Sequence, residues 1–310
     1  IKVTEDMDFN RYPDQKVSSL RRKLGEYTGF SMGNIMVGNG SDELLLMIIL
    51  AFAGDGGQVI IPAPTFGMYE YYARAAGSEI RRLELNPDFS LDWTGLKTEL
   101  EQSGNSLAFL CSPNNPTGNL LNADQLERCL QESEAMVVLD EAYFEFCGQT
   151  LVELVKSYDN LIVTRTLSKA FGLAGLRVGY LVAQTGVIDR LEGVRSPYNV
   201  DRFSQQVALK VMEYRHLYRE QWELIIKERK RLYTALEALS GVTAYPSQAN
   251  FVLFRPELPS KQVHQQLKNR GLQLRLLTGL PVAGDCLRIT AGQREAGDLF
   301  LQSLPEITGG

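Results

Sequence analysis

The sequence predicts an α/β fold: a large domain whose mostly parallel sheet is sandwiched by helices, followed by a smaller C-terminal α+β domain. From about residue 15 to 195, short apolar or β-branched runs alternate with longer helical patterns, the text of βαβ units. The runs are near-continuously hydrophobic, as strands covered on both faces require. After Pro197 the text turns to long helical patterns. In chain order, strands are expected at residues 58–61, 107–111, 136–140, 161–166 and 179–183, most of them bounded by Gly, Pro, Asn or Asp. Helices are expected over 201–214 and 219–239, then strands at 250–254, 272–275 and 286–290. We therefore expect a large domain over residues 1–199, with a short N-terminal arm, and a small domain over 200–310.

Composition narrows the function classes. With 310 residues, 44% of them hydrophobic and 22% charged, the chain can bury the cores of about two domains. A formal charge of −5 argues against a general nucleic-acid or acidic-membrane binder. The strongest apolar stretch, residues 44–53, is about half the length needed to cross a bilayer. Cys111, Cys129, Cys147 and Cys286 are far apart and form no C-x-x-C pair, which suits reduced thiols in a cytoplasmic protein. His216 and His264 lie in polar, helix-like text and are expected at the surface. They leave little material for a His-based metal site or a Ser-His-Asp triad, so no metal is expected.

In open α/β sheets ligands sit beyond the carboxyl ends of the strands, so polar residues just after the apolar runs come first. Gly38-Asn39-Gly40-Ser41-Asp42-Glu43 precedes an apolar helix and offers free N–H groups at a helix N-terminus, which suits a phosphate. Alone it equally fits a capped helix after a turn. A dinucleotide fingerprint is disfavoured, because Glu43 stands where the third glycine belongs. Ser112-Pro113-Asn114-Asn115-Pro116-Thr117-Gly118 follows another run, and its prolines stiffen a loop that presents Asn115. Asp140 ends Val137-Val138-Leu139, where a partly buried carboxylate needs a cationic or hydrogen-bonding partner. Thr166-Leu167-Ser168-Lys169 follows a further run, with Arg177 just after a glycine-rich stretch. Each piece has a bland reading as turn, cap or surface residue. Together they meet one demand: a desolvated lysine forms a Schiff base with an aldehyde, a carboxylate holds a pyridine nitrogen protonated, and N–H groups with an arginine hold a phosphate. That is the inventory for pyridoxal 5′-phosphate.

The ordered set of Arg11-Tyr12-Pro13, the Gly-Asn-Gly-Ser-Asp-Glu stretch, Pro64-Thr65-Phe66, the Ser-Pro-Asn-Asn-Pro-Thr-Gly loop, Asp140-Glu141-Ala142-Tyr143, Thr166-Leu167-Ser168-Lys169-Ala170-Phe171 and Cys286-Leu287-Arg288-Ile289-Thr290 resembles the histidinol-phosphate aminotransferases. These are class II aminotransferases of the aspartate-aminotransferase-like fold type I. The resemblance runs from about residue 10 to 300.

The resemblance implies that the large domain binds the cofactor. Lys169 is then the Schiff-base lysine and the proton carrier between substrate and cofactor. Asp140 pairs with the pyridinium nitrogen, and Asn115 and Tyr143 hydrogen-bond the phenolic oxygen. Phe66 stacks on the ring, at a position where many members carry Tyr. Gly40, Ser41, Asp42, Thr166, Ser168 and Arg177 hold the phosphate. Tyr12 reaches the phosphate of the neighbouring subunit, which implies a homodimer with shared active sites. Arg288 matches the substrate-carboxylate arginine, and Arg275 a position that meets the distal phosphate of histidinol phosphate or the side-chain carboxylate of glutamate. Asn115 also borders the substrate, and Asn250 falls in a matching stretch. Members of the family carry an Asn-, Pro- and Gly-rich segment ahead of the Arg-Tyr-Pro motif, which covers part of the substrate pocket; no matching text precedes Arg11 in this sequence.

The expected function is amino-group exchange between L-histidinol phosphate and 2-oxoglutarate, a ping-pong reaction of histidine biosynthesis, with glutamate as the biosynthetic donor. An aromatic or broad-specificity aminotransferase is the nearest rival, since an arginine serves several anions. Threonine-phosphate decarboxylase is a second rival. A catalytically silent cofactor-binding regulator is a third, from a different class.

Overall fold

The computed structural model describes residues 7–101 and 106–309. In chain order, α1 (Ser18–Thr28), β1 (Ile35–Asn39), α2 (Gly40–Phe52), β2 (Gln58–Ala63), α3 (Met68–Ala75), β3 (Glu79–Glu84) and α4 (Trp93–Glu101) open the fold. They are followed by β4 (Ser106–Cys111), α5 (Ala123–Glu132), β5 (Met136–Asp140), β6 (Leu161–Thr166), β7 (Val178–Val182) and α6 (Thr185–Glu192). The remainder is α7 (Arg202–Glu213), α8 (Arg219–Glu237), β8 (Val242–Tyr245), β9 (Phe251–Pro256), α9 (Ser260–Asn269), β10 (Arg275–Leu280), β11 (Gly284–Thr290) and α10 (Arg294–Thr308).

The predicted α/β class holds. Seven strands form one sheet in the order β1-β7-β6-β5-β4-β2-β3, and four form a second in the order β10-β11-β9-β8. Strands β2 to β6 pair in parallel, while β7 runs antiparallel to both β6 and β1. Six strands therefore point one way and β7 alone is reversed. Every residue of β4 is buried, and so are four of the five in β5, which is why their text reads as unbroken apolar runs. One apolar cluster fills the face of the large sheet beneath α1 and α7, with Leu24, Val37, Leu139, Val163 and Met212. A second packs the opposite face under α2 and α6, with Ile48, Val59, Val138 and Leu191. Each such side chain contributes about 1.5–3 kcal/mol on burial.

The small antiparallel sheet has its own core, in which Leu232 and Leu236 of α8 meet Phe254, Leu287 and Phe300. Helix α7 packs on α1 and β7, and its Ala208, Val211 and Met212 join the core of the large sheet. Strand β10 occupies 275–280 rather than the expected 272–275. Leu272 and Leu274 are buried in alternation, which gives a strand-like pattern, but the ladder with β11 begins only at Arg275. Strands β1, β3 and β8 were not expected. All three are edge strands; β3 half-buries only Ile80 and Leu83 among exposed charged positions along Glu-Ile-Arg-Arg-Leu-Glu and so has no apolar run.

Among the described residues, no helix is long and apolar enough to cross a membrane.

Candidate active site

The strand directions explain where the chemistry gathers. Strands β1, β2, β4, β5 and β6 all end at the same edge of the sheet, and the reversed β7 begins there. The Gly40–Asp42 turn, Phe66, Asn115, Asp140 with Tyr143, and Ser168 with Lys169 follow the first five, and Arg177 precedes the sixth. Ser41, Asp42, Phe66, Asn115, Asp140, Tyr143, Thr166, Ser168, Lys169, Arg177, Arg275 and Arg288 line one cleft of about 460 Å³. Gly40 is buried next to Ser41 and does not itself line the cleft. Tyr12 does not line this cleft: it is 78% exposed, stacks on Tyr198 with ring centroids 4.6 Å apart, and its carbonyl accepts from Arg202.

Asp140 is buried on the cleft floor. The Tyr69 hydroxyl donates to its Oδ2 at 2.6 Å and the Ala142 N–H to its Oδ1 at 3.1 Å. Burial pushes its carboxyl above the ordinary value, and the Tyr69 bond opposes that rise. Lys169 faces the open cleft, and among the described residues no carboxylate pairs with its Nζ, which lies 5.6 Å from the Tyr143 ring centre. Loss of water lowers its pKa, Arg288 lowers it further, and Asp140 and Asp42 pull the other way. A lysine so placed holds more neutral amine at a given pH than a surface lysine.

At the other end of the cleft, α2 opens without any side-chain cap from Asn39. The N–H groups of its first turn therefore face the cleft unclaimed by such a cap, where an anion fits. Gly40 has φ +78°, and a β-carbon there would sit 2.5 Å from the Arg177 guanidinium. A β-carbon on Gly179 would sit 2.2 Å from the Ser41 nitrogen. Both glycines are thus needed for the helix end to settle against the sheet. Arg177, itself at φ 50°, donates to Asp42 Oδ2 at 2.8 Å, so the Asp42 side chain steers the guanidinium while its backbone N–H belongs to the helix end. Glu43 accepts from the Asn39 N–H at 2.7 Å and from Asn199 at 2.6 Å, which assigns that residue to the turn.

The small sheet supplies the far wall. Arg275 and Arg288 stand opposite each other in the β10–β11 ladder. Like charges in that register repel unless an anion lies between or near them. Arg288 rests over the Phe251 ring at 4.6 Å, donates to Asn115 Oδ1, and leaves its buried Nε without a partner among the described residues. Burial lowers its pKa, Tyr143 raises it and Arg275 lowers it. A larger cavity of about 630 Å³ lies beside α8, α9 and α10 and meets this cleft only at Arg275 and Arg288. It holds neither the lysine nor the Asp140 carboxylate, so the chemistry belongs to the smaller cleft.

These residues fit pyridoxal 5′-phosphate on structural grounds: a lysine whose pKa burial lowers, a buried carboxylate with lone pairs to spare, and an anion cradle that a single β-carbon would fill. The family model described as aminotransferase class I and II matches residues 1–304. The chain belongs to this family. Its aminotransferase relatives include the histidinol-phosphate aminotransferase of Thermoanaerobacter pseudethanolicus, 40% identical over 99% of this chain and 87% of that one. Histidinol-phosphate aminotransferase 2 of Nitrosococcus oceani is 41% identical over 96% of this chain and 83% of its own. Among solved structures, the histidinol-phosphate aminotransferase of Sinorhizobium meliloti in complex with pyridoxal 5′-phosphate superposes with a TM-score of 0.89, at 26% identity, covering 97% of this chain and 84% of that one.

The structure also brings into this aminotransferase-family site residues that sequence reasoning missed. Asn114 is buried and donates to the Pro64 carbonyl at 2.9 Å while accepting from Thr65 at 2.7 Å, so it ties the loops carrying Asn115 and Phe66 together. Gly179 carried a legible signal, a glycine inside an apolar strand, which marks close backbone approach. Phe251 lies in the matching stretch that holds Asn250, which gave it no role; Arg288 rests over its ring, which meets Tyr143 edge-on at 5.3 Å.

Proposed function

We propose that this protein is a pyridoxal-phosphate-dependent aminotransferase that exchanges the amino group between L-histidinol phosphate and 2-oxoglutarate in histidine biosynthesis. The observation that carries the reading is the arrangement of Lys169 and Asp140 in one cleft, with the α2 cradle at one end and the Arg275–Arg288 pair at the other. The histidinol-phosphate aminotransferases among its relatives favour histidinol phosphate over an aromatic amino acid or threonine phosphate.

When bound, pyridoxal 5′-phosphate supplies an aldehyde that captures the substrate amine and a ring that accepts the electrons of the broken Cα–H bond. The chain does the rest. The N–H groups of Gly40, Ser41 and Asp42, the hydroxyls of Ser168 and Thr166, and Arg177 would grip the phosphate. Asp140 would keep the ring nitrogen protonated, and Asn115 and Tyr143 would hydrogen-bond the phenolic oxygen. Phe66 covers one ring face. Lys169 would carry a proton from the substrate α-carbon, its amine being the one basic side chain named above in the cleft between the ring site and the substrate arginines.

Two arginines then serve two substrates. Glutamate has an α-carboxylate for Arg288 and a side-chain carboxylate for Arg275, whereas histidinol phosphate has a hydroxymethyl group and a phosphate in those places. Arg288→Lys loses the two-point grip on a carboxylate and is expected to raise KM for glutamate by about 10- to 100-fold, with far less effect on histidinol phosphate. Arg275→Ala is expected to raise both. Single half-reactions followed by absorbance, with product identified, check this. Equal losses for both substrates in Arg288→Lys would remove the assignment, and faster turnover of L-phenylalanine by the wild type would favour the aromatic rival.

Tyr12 projects away from its own cleft, which suits a homodimer in which it reaches the partner's phosphate. Tyr12→Phe is expected to weaken cofactor retention several-fold, measured by dialysis of the holoprotein, in a species sedimenting as a dimer. Unchanged retention would remove the cross-subunit contact. Four free thiols accord with a cytoplasmic protein.

A further inference from the structure

We infer that Tyr69 is a positioning residue for this reaction, holding Asp140 ionised and oriented toward the cofactor ring nitrogen; the inference rests on the role given to Asp140 above. Tyr69 lies in the first turn of α3, just after the turn that carries Phe66, and is wholly buried. Its ring stacks on Phe109 of β4 with centroids 4.7 Å apart and planes 4° from parallel, and meets Phe66 edge-on at 5.5 Å. Held on two sides, the phenol donates its hydroxyl to Asp140 Oδ2 at 2.6 Å, with the Cys111 thiol beside it.

An O–H donor on a carboxylate in a dry site is among the stronger protein hydrogen bonds. With Ala142 N–H on the other oxygen, the carboxylate plane is fixed from behind and lone pairs remain for the cleft side. Burial and Asp140 itself push the Tyr69 phenol well above its ordinary value, so it stays a donor throughout the working range. The other titratable groups facing Asp140 are Cys111 from β4, Asp42 from α2, and Tyr143 and Lys169 from the loops after β5 and β6. Burial raises the Cys111 thiol and the Tyr143 phenol and keeps both neutral. Tyr69 is thus a neutral donor that fastens Asp140 to the same aromatic cluster that includes Phe66. Without it Asp140 becomes more basic and draws the shared proton away from the ring nitrogen.

The test uses holoprotein loaded with cofactor 15N-labelled at the ring nitrogen. The pH at which that nitrogen loses its proton is read by NMR in wild type, Tyr69→Phe and Asp140→Ala, alongside the cofactor dissociation constant. Tyr69→Phe keeps the stacked ring and is expected to lower the midpoint by about one pH unit, the equivalent of tenfold. It should weaken cofactor binding to a similar degree, and lower kcat about tenfold with little change in KM. A 3,5-difluorotyrosine at position 69, a better donor of nearly the same shape, is expected to raise the midpoint and decides the matter if Tyr69→Phe does not fold. An unmoved midpoint in the Tyr69 variants, with Asp140→Ala displaced, overturns the inference alone. A midpoint unmoved in Asp140→Ala as well overturns the Asp140 assignment beneath it.

Discussion

Lys169→Ala is expected to lower kcat/KM by on the order of 10⁴-fold or more, because in the proposed reaction one side chain both anchors the cofactor and moves the proton. In wild type, borohydride reduction should fix the cofactor to a single peptide containing residue 169; in the variant, no lysine adduct should survive reduction. Persistence of an adduct would transfer the role to another lysine. The pH dependence follows from the surroundings. Burial first and Arg288 second lower the Lys169 pKa below the ordinary 10.5, so the neutral amine appears at lower pH than on a surface lysine. Cofactor capture by wild type should therefore rise with pH through a window below 10.5. Arg288→Ala removes one lowering charge and should move that window upward.

Much of this site was readable because a buried parallel strand announces its own end. In β4 and β5 a run of apolar text stops at a polar residue, β6 stays buried through Thr164-Arg165-Thr166, and the ends of these three strands carry Asn115, Asp140 and Lys169 to the same edge. What could not be read depends on which way a side chain faces, or on register. The α3 text Met-Tyr-Glu-Tyr-Tyr-Ala-Arg-Ala holds three tyrosines; Tyr69 is wholly buried against Asp140 while Tyr71 is 62% exposed, and nothing local separates them. Arg275 gains its meaning from standing opposite Arg288, a pairing fixed by the β10–β11 ladder after a start three residues later than the alternation of Leu272 and Leu274 implied. The direction of β7 was equally hidden, since an antiparallel strand covered on both faces looks like a parallel one, yet its reversal is what brings Arg177 to the α2 end of the cleft.

Asp140→Ala is expected to lower kcat by about 10³-fold, the scale set by removing a preorganised electrostatic partner from a dry site. The argument turns on burial. In water a carboxylate beside a pyridinium gains little, but Asp140 lies in the sheet floor with its two oxygens already oriented, so its charge acts at close range with little reorganisation. Alanine leaves the ring nitrogen without a counter-charge, so the nitrogen loses its proton at lower pH and the ring accepts electrons less readily. Cofactor affinity should fall as well, by about 10- to 100-fold, since one charge-assisted contact is lost while the α2 cradle and Arg177 still grip the phosphate. Equilibrium dialysis and single-turnover absorbance separate the two losses at saturating cofactor. Full turnover once the cofactor is saturated would mean that Asp140 serves binding alone.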